Sequence, residues 1–184
     1  SGNDKEARYY LAKFSRLMRQ ILDYSRRSSI LLQEETAMLE NYLLVEQFCN
    51  GNNFDYSIET DEDLELDFVQ IPPMLLQPFV ENAIKHGFRQ LEKKGRRGHL
   101  WINFREENNM LVCEITDNGI GREAATSIQE KSNSPKHESM ALKITRERLD
   151  LLQESEVKST LEMIDLYTEN VPSGTKVVIK IPLN

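Results

Sequence analysis

The chain has 184 residues, 39% of them hydrophobic and 29% charged, and a net charge of −7. That is enough for one domain with a full core plus an appendage, and the acidic balance disfavours a general nucleic-acid binder, whose footprint is basic. The two cysteines lie in unrelated contexts and the three histidines show no metal-ligand spacing, so neither a disulfide framework nor a zinc site is expected. No apolar run is long enough for a bilayer: the best, Val69 to Val80, holds three prolines. No signal peptide is visible, and the chain reads as a piece of a longer protein.

Residues 4–26 read as a helix. Ala7, Leu11, Phe14, Met18 and Ile21 recur at alternating spacings of four and three. That is a heptad seam, expected to pack on partner helices. Arg16, Arg19, Arg26 and Arg27 form a solvated face. Ser28-Ser29 break the pattern, and a second helix runs from about Leu32 to Cys49. Gln33, Glu34 and Glu35 fall in its first turn, where acceptors suit the helix dipole. Met38, Tyr42, Val45 and Cys49 make its stripe, and Asn50-Gly51-Asn52-Asn53 end it. Residues 1–50 are therefore expected to be a helical hairpin of dimerisation type.

Residues 51–184 have a different character. A strand covers Phe54–Ile58, and the acidic run Glu59 to Asp67 reads as a solvated turn leading to a short strand. Ile71-Pro72-Pro73 forces an extended lead-in, and a helix starts just after it. In that helix Leu75, Phe79 and Ile84 fall at core spacing. Glu81 shares a face with Lys85, and Asn82 with His86. Taken alone, this is either an amphipathic helix with a solvated polar side or a helix that faces a ligand.

Lys93 to Gly98 form a basic turn. Leu100, Ile102 and Phe104 then alternate with Trp101, Asn103 and Arg105, and Leu111, Cys113 and Ile115 repeat the pattern. This is a hairpin with one buried face, Cys113 being a small core residue. It ends on Asp117. Gly119 to Glu138 is polar, with a Ser-Asn-Ser-Pro breaker, and long loops of this kind are lids or disordered. A helix from about Ser139 to Gln153 puts Leu142, Leu149 and Leu152 on its core side. The last strands, about Ser159–Tyr167 and Thr175–Ile181, are expected to be joined by Pro172-Ser173-Gly174. Helices fall between hairpins and not after each strand. The class is therefore α+β, a mixed sheet with helices on one face, and not a doubly wound parallel sheet.

Asp117-Asn118-Gly119-Ile120-Gly121 is either an ordinary turn or a binding loop. Its glycines permit a backbone that a Cβ would block, and a carboxylate at the base of such a loop can accept from an exocyclic amine. Gly174-Thr175, ahead of the final strand, is likewise a turn or a place where a hydroxyl meets a base edge.

These stretches carry a family resemblance. Asn82 within Glu81-Asn82-Ala83-Ile84-Lys85-His86-Gly87 resembles the N box of the GHKL (Bergerat) ATP-binding fold. Asp117-Asn118-Gly119-Ile120-Gly121 resembles its first glycine box, and Gly174-Thr175 its closing box, in the same order. More narrowly, Leu76-Gln77-Pro78 through Gly87, with Lys143-Ile144-Thr145-Arg146-Glu147-Arg148-Leu149, is similar to LytS/YehU-type sensor histidine kinases. The Leu11-to-Leu22 helix and Gln33-Glu34-Glu35 to Glu46 resemble that family's helical segment.

The resemblance implies a two-layer α/β sandwich preceded by a helical hairpin. It implies ATP and Mg²⁺ as cofactors, with Asn82 as the metal ligand and Glu81 as base or orienting group. Lys85 and His86 would face the phosphates. Asp117 would recognise adenine, Gly119 and Gly121 would shape the site, Thr175 would support the base, and residues 122–138 would be the ATP lid. The partners implied are a second copy through the helical segment and a response regulator. The place implied is the cytoplasmic portion of a sensor anchored to the membrane through other regions.

Two departures stand out. Where the family has a second glycine box, this chain has Ser139-Met140-Ala141-Leu142. A helix N-terminus there still offers N–H groups to phosphate, so Ala141 and Leu142 remain site residues. The family's acceptor histidine lies ahead of residue 4, and His86, His99 and His137 stand in other contexts. The alternative to a kinase region is a degenerate, non-catalytic scaffold with a weakened ATP site, favoured by Ala141. A chaperone- or topoisomerase-type ATPase module is disfavoured by the hairpin upstream.

Overall fold

The computed structural model describes residues 2–93, 95–122, 140–151 and 158–183. Its elements are α1 (Gly2–Tyr24), β1 (Ile30–Leu31), α2 (Leu32–Cys49), β2 (Phe54–Thr60), β3 (Gln70–Ile71), α3 (Gln77–Asn82), a π-helical turn (Ala83–Phe88), α4 (Arg89–Glu92), β4 (Gly98–Glu107), β5 (Met110–Asp117), α5 (Met140–Leu151), β6 (Thr160–Thr168) and β7 (Val171–Pro182). They form two compact units: Ser1–Asn53 with Glu65–Gln77, and Phe54–Leu64 with Pro78–Asn184.

In the first unit α1 and α2 make the expected hairpin. The side that α1 turns to α2 is more polar than the heptad seam. Leu17 and Tyr24 are buried, Tyr10 stacks on Phe48 with ring centroids 4.0 Å apart, and Lys13 Nζ donates to Asn41 Oδ1 at 3.2 Å. Asn41 Nδ2 in turn donates to Gln20 Oε1 at 3.1 Å. Leu11, Phe14 and Met18 of the seam stay exposed. Cys49, at the end of the predicted α2 stripe, is also exposed. The start of α2 is fastened by Glu34, which accepts the Leu31 N–H at 3.0 Å, the reach-back half of a capping box. The short β1–β3 ladder is antiparallel and pairs Ile30 with Ile71.

The second unit is built on a five-stranded sheet in the order β2-β4-β5-β7-β6. β2 and β4 are parallel, and every other pair is antiparallel. The alternation read from the sequence becomes apolar rows across the strands: Ile58, Ile102, Ile115 and Val177 stand side by side in register. Phe104, Cys113 and Ile179 form the next row, all buried. Glu114 points to the other face, 3.0 Å from Arg105 and 2.9 Å from Lys176. This is a mixed sheet with helices, as the sequence predicts.

One predicted connection is corrected. Pro172-Ser173-Gly174 lie inside β7, and the β6–β7 turn is Glu169-Asn170. Both turn residues have positive φ, 51° and 65°, the two-residue hairpin turn whose twist matches its strands. Pro172 is tolerated because it sits opposite Tyr167 at a register shift, where a missing N–H costs no regular ladder bond.

Candidate functional site

The helix that begins at Gln77 changes its winding at Ala83. Six residues of π-helix, Ala83–Phe88, separate α3 from α4. Such turns recur at functional sites, because the wider winding re-aims the side chains beyond it. Phe79 and Ile84 are buried, as their spacing predicts, which leaves Glu81 and Asn82 half-buried and Lys85 and His86 exposed. Lys85 Nζ lies 2.7 Å from Glu81 Oε2, so the lysine and the carboxylate are paired one turn apart.

The π turn brings Gly87 against Gly119, backbone to backbone. A Cβ on Gly119 would stand 2.7 Å from Gly87 Cα and 2.6 Å from Asp117 Oδ1. Neither approach is open to a residue with a side chain. Asp117 ends β5 and is 9% exposed. Its Oδ1 accepts the Gly119 N–H at 2.7 Å. Burial pushes its carboxyl up from 3.8 to about 6, opposed by hydrogen bonds from the Gly119 and Thr175 N–H groups. Thr175, also 9% exposed, pairs with Asp117 in the sheet. Gly174 has φ +147°, and a Cβ there would meet the Asp117 carbonyl oxygen at 1.9 Å. Gly121, at φ +74°, continues the loop past Pro172.

Asp117, Gly119 and Thr175, named from the sequence, thus come together around one buried carboxylate. Gly87 joins them to the helical run that carries Glu81, Asn82, Lys85 and His86. The backbone of Ala141 and Leu142 lies in α5, while their side chains, Ser139 and residues 123–138 lie outside the described residues.

Sequence reasoning missed three supporting groups. Asn118 locks the loop to β4: its Oδ1 accepts the His99 N–H at 2.7 Å and its Nδ2 donates to the Arg97 carbonyl at 3.3 Å. Gly174 makes room for the Asp117 carbonyl. Arg122, just past the loop, forks onto Asp165 of β6 with contacts of 2.7 and 2.6 Å. The Arg122 hydrogen bond holds the Asp165 carboxyl below its usual value, against a smaller opposing effect of burial. Gly87 and Gly174 stood inside the quoted motifs without an assigned role and were readable as close-approach glycines. Nothing in the sequence marked Arg122 and Asp165 as partners.

The profile of the histidine kinase-, DNA gyrase B- and HSP90-like ATPase family matches residues 73–184, and that of a histidine kinase family matches residues 1–54. Sensor protein LytS of Oceanobacillus iheyensis is 36% identical over 119 residues, 65% of this chain and 20% of that protein. Sensor protein LytS of Streptococcus mutans is 28% identical over 182 residues, 96% of this chain and 29% of that protein. The chain therefore spans well under a third of the length of these relatives. The catalytic domain of histidine kinase ThkA shares the fold, with a TM-score of 0.53 and 19% identity over 84% of this chain and 94% of that one. The chain belongs to the family of histidine kinase-, DNA gyrase B- and HSP90-like ATPases, and within it is similar to the LytS-type sensor histidine kinases.

Proposed function

We propose that the chain is the ATP-binding catalytic region of a two-component sensor histidine kinase. The full protein passes the γ-phosphoryl of ATP to a histidine other than His86, His99 and His137, and then to an aspartate of a response regulator. The observation that carries this reading is the buried Asp117. A carboxylate pushed to about 6 weakens the folded protein at neutral pH, so its place at the base of a glycine-lined loop needs a ligand to justify it. Ionised and dry, it accepts strongly from an exocyclic amine such as that of adenine. Gly119 and Gly121 let a flat base lie against the main chain, and the Thr175 hydroxyl supports its edge.

The half-buried Asn82 carries an amide oxygen, a hard donor of the type that suits Mg²⁺. Asn82 would hold Mg²⁺, which would supply positive charge to offset that of the phosphates. Lys85, poised against Glu81, turns to the phosphates, with His86 beside it, and Glu81 orients the attacking group. Transfer of this kind rests on position and charge stabilisation. The N-terminus of α5, around Ala141 and Leu142, supplies N–H groups to phosphate. Homodimerisation through the exposed Leu11, Phe14 and Met18 stripe belongs to the same proposal, as does a membrane anchor in other regions; no helix among the described residues is long and apolar enough to cross a membrane.

Titration of the chain with ATP and Mg²⁺ tests the reading. Binding in the micromolar-to-millimolar range that disappears in Asp117→Asn supports it. No binding at several millimolar ATP refutes it in favour of a non-catalytic scaffold. Incubation with γ-labelled ATP is expected to leave His86, His99 and His137 unlabelled.

A further inference from the structure

Asp117, Thr175 and Asp165 form one row across three neighbouring strands. Asp117 of β5 pairs with Thr175 of β7, and Thr175 pairs with Asp165 of β6. Neighbouring strands lie about 4.8 Å apart, so the main chain of Asp165 stands roughly 10 Å from that of Asp117. The residues from Asn118 to Arg122 bridge this span. On the way the loop meets β7: a Cβ on Gly121 would stand 3.0 Å from Pro172 Cβ and 3.5 Å from the Gly174 carbonyl oxygen.

At its far side the loop is tied down. Arg122 Nε donates to Asp165 Oδ1 at 2.7 Å and Nη2 to Oδ2 at 2.6 Å, a fork on both carboxylate oxygens. Nη2 also reaches the Met163 carbonyl at 3.5 Å, and the Arg122 main-chain N–H donates to the same Asp165 carboxylate. The circuit is closed by the two ladder rungs that lead back from Asp165 to Asp117, and all of it lies in the second unit.

Such a tie matters because glycines leave the loop much freedom. Gly119 and Gly121 carry no side chain, and Gly121 stands at φ +74°. The buried Ile120 holds the middle, and Asn118 holds the near side through β4. Past Gly121 the tie is the Asp165 pair. Stability gains little from a pair this exposed, 44% and 26% on its two side chains. Its value lies in narrowing the conformations of a binding loop before the ligand arrives.

We propose that Arg122 and Asp165 are positioning residues for the nucleotide site. The fork onto β6 sets the course of Gly119 to Gly121 across β7, and with it the surface on which a flat base lies beside Asp117. Neither side chain has to touch the nucleotide, and Asp165 is an acid, which by itself would repel one. The effect on ATP rests on the function proposed above; the effect on the loop does not.

The test compares Asp165→Ala and Arg122→Gln with Arg105→Gln in the same chain. Arg105 pairs with Glu114 at 3.0 Å, so its loss removes an ion pair of the same kind from another part of the sheet. Without nucleotide, amide exchange at Gly119, Ile120 and Gly121 is expected to be at least twofold faster in the first two variants than in Arg105→Gln, at urea concentrations that match their global stability. With Mg²⁺ present, ATP affinity is expected to fall at least threefold in Arg122→Gln and in Asp165→Ala, and to stay within twofold of the unaltered chain in Arg105→Gln. Combining Arg122→Gln with Asp165→Ala is expected to lose no more than the weaker single variant, because each change breaks the same tie. The Asp165 result separates positioning from contact: removing a negative charge near a bound anion raises affinity unless that charge was holding a part of the site in place.

Exchange that differs less than twofold from that of Arg105→Gln overturns the proposal, as do ATP losses under threefold or losses that add in the double variant. An affinity that Arg122→Gln lowers and Asp165→Ala keeps or raises overturns it too, and makes Arg122 a direct contact of the nucleotide. If the unaltered chain binds no ATP, the functional reading fails, and the exchange comparison still decides the tie. If Asp165→Ala does not fold, Asp165→Asn, neutral and of the same shape, takes its place with the same thresholds.

Discussion

Replacing Asp117 by asparagine is expected to make the protein more stable and unable to hold ATP. Asp117 is 9% exposed, and its carboxyl is pushed from 3.8 to about 6. The folded protein therefore binds a proton there more readily than the unfolded chain does. Stability from this group is fully present below pH 3.8 and is lost as the pH rises through 6. That gap costs the folded state about 3 kcal/mol at neutral pH. Asparagine cannot ionise, so the cost disappears. Its Oδ1 still accepts from the Gly119 N–H, but its NH₂ opposes the Thr175 N–H, a loss of about 1 kcal/mol. The net gain at pH 7.5 is about 2 kcal/mol, or about 5 °C in Tm for a protein of this size. At pH 4 the wild-type carboxyl is already largely protonated, and the two proteins are expected to melt together. The assay is thermal unfolding followed by circular dichroism from pH 4 to 7.5, without nucleotide. A variant less stable at pH 7.5, or a gain that does not grow with pH, refutes the reasoning.

Three further outcomes are expected. ATP affinity of the unaltered chain falls several-fold between pH 7.5 and 5, as the carboxyl raised to about 6 takes up a proton and stops accepting from adenine; isothermal titration across that range checks it. Gly174→Ala drives a Cβ to 1.9 Å from the Asp117 carbonyl oxygen and costs about 3 kcal/mol or more in urea unfolding, so a loss under 1 kcal/mol would contradict the close approach. Asn118→Ala removes the 2.7 Å acceptor of the His99 N–H, with an expected loss of about 1–3 kcal/mol, whereas Arg122→Ala breaks a part-exposed pair and costs about 1 kcal/mol at most, falling with added salt.

Much of the fold was legible because its signals are local. The spacing of Leu32 to Cys49 and the alternation of Leu100 to Ile115 report helix and strand residue by residue, and the structure places those elements at the predicted positions. Asp117 fell at a strand end for the same reason. The β6–β7 turn was misplaced because Pro172 and Gly174 are strong turn formers by composition. Glu169-Asn170 closes the hairpin because cross-strand pairing, a long-range contact, selects the register.

By itself the sequence determined which segments are helix or strand, which residues seek the core, and the motif order that marks the family. Tertiary structure alone decided that β2 runs parallel to β4, that α1 turns Tyr10, Lys13 and Leu17 to α2 and leaves Leu11 and Phe14 outside, and that the helix winds as π where Gly87 meets Gly119. It also decided the chemistry of two carboxylates. Asp117 and Glu35 are ordinary acids in the sequence. They differ from the exposed ones because folding strips their water and aims N–H groups at them, Gly119 and Thr175 at one, Met74 and Leu76 at the other. A carboxylate's behaviour depends on what replaces its hydration, and apart from the Gly119 N–H those replacements come from residues far along the chain.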